Sequence, residues 1–323
     1  MLRDRPEISG SSILITGGAG FIGSHLVDRL LSDGASEVVV IDNLFTGDES
    51  NLSQAMASGK VTLYRDDAEL STSMEYCFLN HQIDIVFNCA TKALNYSFLN
   101  PANAFSTNVN VVLNLLELQR RSLFKTLCHF STSEVYGTAV YEPMDEAHPK
   151  HPTTTYAAGK AAADHAVESY IKMFDLDAYI IRPFNNYGPR QNYKGYLAGI
   201  IPITAWRILN GITPELHGEG LQSRDFSYVH DTVDAVIKLH DIMPSGESVN
   251  ISTDNQILIC NLMQKICREM NYPGEILRMP ERKSDVLCHN GSNEKVKSMI
   301  DYQLTSFEDG LAETIKWYEE NIK

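Results

Sequence analysis

Two residues at helical spacing could form a proton-transfer pair. Tyr156 and Lys160 are four residues apart in a stretch whose apolar pattern predicts a helix, so both side chains project from one face. A lysine ammonium near a phenol favours the phenolate and lowers the phenol pKa from about 10 toward neutral pH. Such a tyrosine could remove the proton of a hydroxyl group while hydride leaves the attached carbon. The spacing alone is not specific, because pairs of surface residues often share it.

A glycine-rich segment could bind phosphate. Residues 16–23 (TGGAGFIG) directly follow the first predicted strand and open a predicted helix. Gly17 permits a tight turn, Gly20 lets the backbone approach a pyrophosphate, and Gly23 lets the helix pack against the sheet. The free N–H groups and positive dipole end of that helix would face the phosphates.

A carboxylate follows the next strand and would select the cofactor. Asp42 ends the second apolar run, 19 residues after Gly23. A carboxylate at this place accepts hydrogen bonds from both ribose hydroxyls and repels a 2′-phosphate. The pattern therefore predicts NAD rather than NADP.

The elements that carry these residues alternate in a βαβ rhythm. Short, β-branched apolar runs predict strands at residues 12–16, 38–41, 61–64, 83–88, 126–131 and 178–181. Helical spacing of apolar residues lies between them, at 20–33, 71–81, 102–121 and 155–174. We therefore expect an α/β fold with a doubly wound parallel Rossmann sheet, in which ligands bind at the carboxyl ends of the strands.

The rhythm changes after Pro183. Residues 185–195 (NNYGPRQNYKG) predict a loop, and 213–220 a strand and turn. Helices are predicted at 197–209, 257–271 and 307–320. We expect an NAD-binding domain over residues 1–182 and a smaller α+β substrate lobe over 183–323, with some segments returning to the first domain.

Composition excludes several classes of function. The 323 residues carry a formal net charge of −14 and no basic block, so no nucleic-acid partner is expected. Apolar runs stay below the ~18–20 residues of a membrane span, and the first residues do not form a secretory signal. The six cysteines form no C-x-x-C motif, which favours reduced thiols and a cytoplasmic protein. The ten histidines lack metal-binding spacing, so no metal is expected.

Five motifs together resemble a known family. They are residues 16–23, Asp42, 131–137 (STSEVYG), 156–160 (YAAGK) and 182–190 (RPFNNYGPR). Over nearly the whole chain the sequence resembles the extended short-chain dehydrogenases/reductases that act on nucleotide sugars. The resemblance implies tightly held NAD and a UDP-, GDP-, dTDP- or CDP-sugar as substrate. It also implies oxidation at the sugar C4, and a homodimer built on the helices at 102–121 and 155–174.

The resemblance also implies roles for individual residues. Thr132 is expected to hold the sugar 4-hydroxyl, with Tyr156 as the base and Lys160 as its partner. The implied cofactor contacts are Gly17, Gly20, Phe21, Ile22, Gly23, Asp42, Asn43, Asp66, Ala90, Asn108, Ser131, Tyr156, Lys160 and Pro183. The implied substrate contacts are Tyr96, Asn185, Arg190, Arg224 and Arg282. Two positions depart from the usual family pattern, Asn88 in place of histidine and Gly159 in place of serine.

Ser133 and Glu134 bear on which reaction follows C4 oxidation. A 4-ketone makes the C5 proton acidic, and Glu134 could remove it during loss of the 6-hydroxyl as water. Many 4,6-dehydratases have aspartate at the position of Ser133, but Thr-Ser-Glu is similar to GDP-mannose 4,6-dehydratases and to dehydratases of the legionaminic acid pathway. Residues 93–98 (ALNYSF) resemble the latter group. We therefore expect a 4,6-dehydratase in which Thr132, Ser133, Glu134, Tyr156 and Lys160 are catalytic.

The sequence also fits functions other than 4,6-dehydration. UDP-glucuronate decarboxylases share T-S-E-V-Y-G, and residues 41–47 (IDNLFTG) resemble them and the 4-epimerases more than the dehydratases. In an epimerase, Glu134 would only hold a sugar hydroxyl. A non-catalytic NAD-binding regulator is disfavoured, since Thr132, Tyr156 and Lys160 are all present.

Overall fold

Twelve strands occur in the part of the chain that the structure describes, and seven of them form the parallel sheet at the centre of the molecule. The computed structural model describes residues 3–281 and 288–322. The strands are β1 (Ser12–Thr16), β2 (Glu37–Ile41), β3 (Val61–Tyr64), β4 (Ile85–Asn88), β5 (Thr126–Phe130), β6 (Asp177–Pro183), β7 (Asn185–Tyr187), β8 (Glu215–His217), β9 (Ser223–Tyr228), β10 (Ser248–Ile251), β11 (Gln256–Leu258) and β12 (Leu277–Met279). The central sheet has the order β10-β6-β5-β4-β1-β2-β3, with parallel pairing throughout.

The described residues form eleven α-helices, some on the two faces of this sheet and others in the C-terminal part of the chain. They are α1 (Phe21–Ser32), α2 (Ser53–Met56), α3 (Ser71–Asn80), α4 (Leu94–Ser97), α5 (Pro101–Arg120), α6 (Thr155–Phe174), α7 (Ile200–Leu209), α8 (Val229–His240), α9 (Ile259–Glu269), α10 (Glu294–Met299) and α11 (Phe307–Asn321). Short 3-10 helices lie at Glu49–Leu52, Ser133–Tyr136 and Gly195–Leu197. No helix in the described ranges has the length and apolar character needed to cross a bilayer.

Alternation along the strands separates two apolar cores. Ile13 and Ile15 of β1 pack with Leu26 of α1 and Val236 of α8 on one face. Leu14 points to the opposite face and packs in the core formed with α3, α5 and α6. Because successive side chains of a strand point to opposite faces, a continuous apolar run is what a sheet covered on both sides requires.

The predicted α/β Rossmann architecture with a C-terminal lobe is confirmed. The six predicted strands are present; β1 and β3 have the predicted ends, whereas the ends of β2, β4, β5 and β6 differ by one or two residues. The four predicted helices between them are α1, α3, α5 and α6. One local prediction was wrong, because residues 185–195 begin with β7 rather than with loop. The β7 backbone pairs in parallel with β9, Asn185 opposite Phe226, a partner too distant in sequence for a local pattern to reveal.

The C-terminal lobe stands against the carboxyl ends of the central strands. Its sheet has the order β11-β9-β7, and β12 pairs with β8. Helices α7, α9 and α11 enclose a separate core that includes Ile201, Leu262 and Ile315. From this part of the chain, β10 returns to the central sheet and pairs with β6. Most of the predicted site residues lie in the cleft between the lobe and the strand ends.

Candidate active site

Two adjoining cavities occupy the cleft. The first, of about 360 Å³, is lined by the glycine loop and the ends of β1, β2, β4 and β5; we call it the inner cavity. The second, of about 480 Å³, is lined by α4, α7 and β7–β9; we call it the outer cavity. Ala93, Asn186, Gln191, Leu197 and Gly199 line both, so a ligand in one can reach a ligand in the other.

The glycine loop is shaped for close approach of an anion. Helix α1 begins at Phe21, and no side chain of the described residues caps it at Gly20, which leaves its first N–H groups facing the inner cavity. A Cβ at Gly23 would lie 2.3 Å from the carbonyl oxygen of Gly17. Gly17 has a φ of +71°, and a Cβ there would lie 2.9 Å from the Ala90 backbone. The glycines are therefore required by the loop itself.

Asp42 lies at the carboxyl end of β2, above this loop. Its Oδ2 accepts from the Ala19 N–H at 2.9 Å and its Oδ1 accepts from the Leu44 N–H at 2.8 Å. Burial raises the pKa of Asp42, and the backbone hydrogen bonds oppose that rise. A carboxylate has about four lone-pair sites, so hydroxyl groups of a ribose can still be accepted.

The neighbouring polar residues differ in part from the prediction. Asn43 lines the inner cavity and donates from Nδ2 to Asp67 Oδ2 at 2.8 Å. Asp67 lines the cavity, whereas the predicted Asp66 is exposed and does not. Asn108 lies behind the lining, where its Oδ1 accepts from the Thr91 hydroxyl at 3.0 Å and from the Lys92 N–H at 2.9 Å. Asn108 therefore positions the segment after β4.

Lys92 is a cavity residue that our sequence analysis missed. Its side chain is buried, and its Nζ lies 3.8 Å from the ring centroid of Phe45. Both residues line the inner cavity. Its position could have indicated this, because Lys92 follows the carboxyl end of β4 closely and ligands bind at the carboxyl ends of such strands.

Tyr156, Lys160 and Thr132 meet at the wall of the inner cavity. Tyr156 and Lys160 stand on the first turns of α6, which Thr154 caps by accepting from the Ala157 N–H at 3.2 Å. Thr132 follows β5 at the neighbouring strand end. The predicted Gly20, Phe21, Ile22, Ala90, Ser131 and Pro183 also line this cavity.

Glu134 lies at the outer cavity, close to this group. Thr132 caps the 3-10 turn that carries it, because the Glu134 N–H donates to Thr132 Oγ1 at 3.2 Å. The Glu134 side chain is 14% exposed and lines the outer cavity. Ser133 is buried and lines neither cavity, so its predicted catalytic contact is not formed in this structure.

The predicted substrate contacts separate into two groups. Asn185 and Arg224 line the outer cavity. Tyr96 and Arg190 line neither cavity: the Tyr96 hydroxyl donates to Asn103 Oδ1 at 3.0 Å, and Arg190 Nη2 pairs with Asp28 Oδ2 at 2.7 Å. Arg282 lies outside the described residues.

The chain is similar to a known protein family over most of its length. The family described as "NAD dependent epimerase/dehydratase family" matches residues 13–252. The chain belongs to this family.

Relatives with different reactions are similar to the chain. A UDP-glucose 4-epimerase of Mycolicibacterium smegmatis is 32% identical over 94% of this chain and 97% of its own. UDP-glucuronic acid decarboxylase 3 of Arabidopsis thaliana is 33% identical over 84% of this chain and 78% of its own. The crystal structure of a dTDP-glucose 4,6-dehydratase from Streptomyces venezuelae, with NAD bound, has a TM-score of 0.90 and 28% identity over 96% of this chain and 97% of its own.

The inner cavity fits the cofactor of the NAD-dependent epimerase/dehydratase family. The uncapped start of α1 and the glycine loop suit a pyrophosphate, and the carboxylate of Asp42 suits a ribose diol. Tyr156 and Lys160 line the other part of the same cavity. NAD is therefore the cofactor of this chain.

The predicted pKa of Tyr156 needs correction. Burial raises the pKa of Tyr156 to about 12; the Thr132 side chain opposes the rise, and the Glu134 charge adds to it. The Lys160 ammonium donates to the Phe130 carbonyl oxygen at 2.9 Å. Burial therefore keeps the phenol protonated at neutral pH.

Burial of the Lys160 ammonium lowers the free energy of unfolding of the protein, and this effect can be measured. Burial lowers the pKa of Lys160 from 10.5 to about 8. Below pH 8 the folded protein buries a charge. Between pH 8 and 10.5 the unfolded chain binds a proton that the folded chain has released, so the unfolding free energy rises with pH.

We expect Lys160→Met to be inactive yet more stable than the wild type at pH 7. The lowered pKa of Lys160 corresponds to a destabilisation of at most about 3 kcal/mol, which the variant would remove. Because the variant also loses the hydrogen bond to Phe130, we expect its free energy of unfolding to rise by only about 1 kcal/mol. Urea unfolding at pH 7 and pH ~9.5 tests this, with the advantage of the variant shrinking at the higher pH. A variant that is less stable than the wild type at pH 7 would contradict it.

Proposed function

We propose that the chain is an NAD-dependent nucleotide-sugar 4,6-dehydratase, in which Glu134 is the base for the sugar C5. The observation that carries this proposal is the position of the Glu134 carboxylate. It lines the outer cavity two residues after Thr132, and its charge acts on Tyr156. A base for C5 has to lie next to the group that oxidises C4, and Glu134 meets that requirement.

The residues of the chain divide the reaction between them. Thr132 holds the 4-hydroxyl and Tyr156 takes its proton as C4 is oxidised to the ketone. When bound, NAD supplies a hydride acceptor, a positive charge that favours the phenolate, and the hydride that later returns to the sugar. Glu134 takes the C5 proton that the ketone has made acidic and gives it to the departing 6-hydroxyl, which leaves as water and leaves a C5=C6 double bond. C6 then takes back the hydride, C5 takes a proton through Glu134, and Tyr156 releases the proton that it took from the 4-hydroxyl. The product differs from the substrate by one water, and the cofactor ends oxidised.

The outer cavity suits the nucleotide part of the substrate. Asn185 and Arg224 line it together with Arg207 and apolar residues of α7. A guanidinium matches the charge of a pyrophosphate, and the apolar wall suits a base. We propose a UDP-, GDP-, dTDP- or CDP-hexose as substrate.

Product mass decides between this reaction and its alternatives. The purified protein is incubated with UDP-, GDP-, dTDP- and CDP-sugars, including UDP-glucuronate, and substrate and product masses are compared. Loss of one water is expected. Similarity to UDP-glucose 4-epimerases favours one alternative, for which the product would be an isomer of unchanged mass. Loss of carbon dioxide would make the chain a decarboxylase, as in the plant relative.

We also propose a homodimer built on α5 and α6. Phe105, Val109 and Leu113 recur at every fourth position of α5 and are partly exposed, beside the partly exposed Ala158 and Ala162 of α6. Small residues allow close approach of a second helix pair, and burying the apolar stripe would stabilise the contact.

The six cysteines are all free, which fits the proposed location in the cytoplasm, where thiols are kept reduced.

Light scattering at micromolar protein tests this proposal. The wild type should have twice the 36.1 kDa mass of one chain. Leu113→Glu should give a monomer, because the new carboxylate would be buried without a partner. A monomeric wild type would reject the dimer.

A further inference from the structure

A buried histidine stands behind Glu134. The His289 side chain is buried, and its Nε2 lies 3.3 Å from the Ser133 carbonyl oxygen. Because a carbonyl oxygen only accepts, Nε2 carries the hydrogen. In the neutral imidazole, Nδ1 is then an acceptor.

The other ring nitrogen, Nδ1, makes no hydrogen bond within the described part of the chain. His289 Nδ1 is buried without a hydrogen-bond partner among the described residues, and it lies 4.0 Å from Glu134 Oε1. Burial lowers the pKa of His289; the Glu134 charge opposes this, while Arg224 and His148 add to it. The ring is therefore neutral, and Nδ1, the nitrogen nearer the carboxylate, carries a lone pair.

His289 Nδ1 and an ionised Glu134 carboxylate are both acceptors, so no hydrogen bond can form between them without an added proton. An ionised Glu134 cannot donate to Nδ1, but a protonated Glu134 can donate its O–H. Leaving a buried acceptor unpaired is unfavourable, and a Glu134 that carries a proton can give Nδ1 the missing hydrogen bond. Hydrogen bonds of catalytic groups are often long in ligand-free enzymes and shorten in the complex.

We propose that His289 is a positioning residue that holds the proton of Glu134 between its removal from C5 and its delivery to the 6-hydroxyl. The C5–H bond breaks, an O–H bond forms on Glu134, and that O–H donates to His289 Nδ1. The C6–O bond then breaks, the proton passes from Glu134 to the leaving oxygen, and water departs. The inference rests on the proposed dehydratase function, and it explains how Glu134 serves as base and acid beside a buried Ser133.

Hydrogen bonds to backbone groups hold His289 next to Glu134. The Ser133 carbonyl that orients the ring belongs to the same 3-10 turn as Glu134. On the other side, the Asp225 N–H donates to the His289 carbonyl oxygen at 3.2 Å. The ring is therefore held to the turn that carries Glu134, which keeps the two side chains close together.

Single-turnover kinetics separate the step that His289 serves from the step before it. Absorbance of the reduced nicotinamide reports C4 oxidation, and mass spectrometry reports water loss. In His289→Gln the side chain can still donate to the Ser133 carbonyl but has no ring acceptor at Nδ1. We expect unchanged cofactor reduction, water loss slowed by at least about 10-fold, and a KM within about threefold of the wild type.

Two further variants guard against simple damage to the fold. In His289→Asn the amide oxygen can occupy the position of Nδ1, and it should restore much of the elimination rate. His148→Gln is the matched control, because His148 is buried nearby with both nitrogens satisfied, by the Val140 N–H and the Pro149 carbonyl oxygen. It should leave the ratio of the two rates unchanged.

The outcomes distinguish this inference from the proposed function. If the wild type loses water and His289→Gln eliminates at the normal rate, or slows both steps equally, the role of His289 is wrong and the dehydratase stands. Equal slowing of elimination in His148→Gln would also overturn it. A wild type that yields an isomer or loses carbon dioxide overturns the proposed function itself.

Discussion

Replacing Tyr156 with phenylalanine should lower the rate at which substrate reduces the cofactor by about 10³-fold. The ring keeps its packing, so the loss falls on the hydroxyl that removes the C4–OH proton. Thr132 and Lys160 remain in place but neither offers a phenolate, and a protonated 4-hydroxyl does not release hydride readily. The measurement is the single-turnover rise in reduced nicotinamide absorbance, with a nucleotide sugar that the wild type converts.

A matched control lies on the same helix. Tyr170 also belongs to α6, but its hydroxyl donates to Glu117 Oε1 at 2.8 Å, away from both cavities. Tyr170→Phe should reduce the cofactor at the wild-type rate. If Tyr156→Phe did the same, the assignment of Tyr156 as the base would be wrong.

Replacing Glu134 with glutamine should stop the reaction after the first step. The amide has nearly the size of the carboxylate, but it cannot take a proton from C5. C4 oxidation does not need this group, so reduced cofactor should form at a near-normal rate and then accumulate. We expect water loss to fall by about 10²–10⁴-fold, the range for removal of a general base. Stopped-flow absorbance and product mass measure the two steps.

The Glu134 result also separates the proposed reaction from its alternatives. An epimerase needs no base at C5, so a variant that still interconverts C4 isomers would show that Glu134 only binds. Glu142→Gln is a suitable control, because Glu142 accepts from Gln256 Nε2 at 3.1 Å and does not line either cavity. It should lose water at the wild-type rate.

The central sheet could be predicted because its strands are locally distinct. β1, β2 and β5 are short apolar runs flanked by helical patterns, and a sheet covered on both faces requires that pattern. β7 and β10 lack such a local signal. Asn185 pairs opposite Phe226 and Ser248 opposite Ile180, so these strands depend on partners far along the chain.

The site could be predicted where its residues belong to one backbone motif. The glycine loop, Asp42, Tyr156 and Lys160 were found because their spacing is set by a strand end or a helix turn. His289 could not be found this way, since its relation to Glu134 exists only after the C-terminal segment folds back across the sheet.

Charge behaviour was also beyond the sequence. The spacing of Tyr156 and Lys160 predicted a lowered phenol pKa, but burial dominates and raises it to about 12. Arg190 was expected at the substrate and is instead paired with Asp28 on α1. Both results depend on solvent exclusion and on partners from other elements, which residue types alone do not report.

The return of β10 to the central sheet ties the two halves of the molecule into one cooperative unit. A fragment ending at Pro183 would leave β6 as an open edge with unpaired N–H and C=O groups, and would lose Val236, Leu239 and Val249 from the core. Such a truncated protein should aggregate rather than fold as a free-standing cofactor-binding module. For the same reason, a ligand that bridges the cleft stabilises both halves at once, and melting of the holoenzyme should follow a single transition.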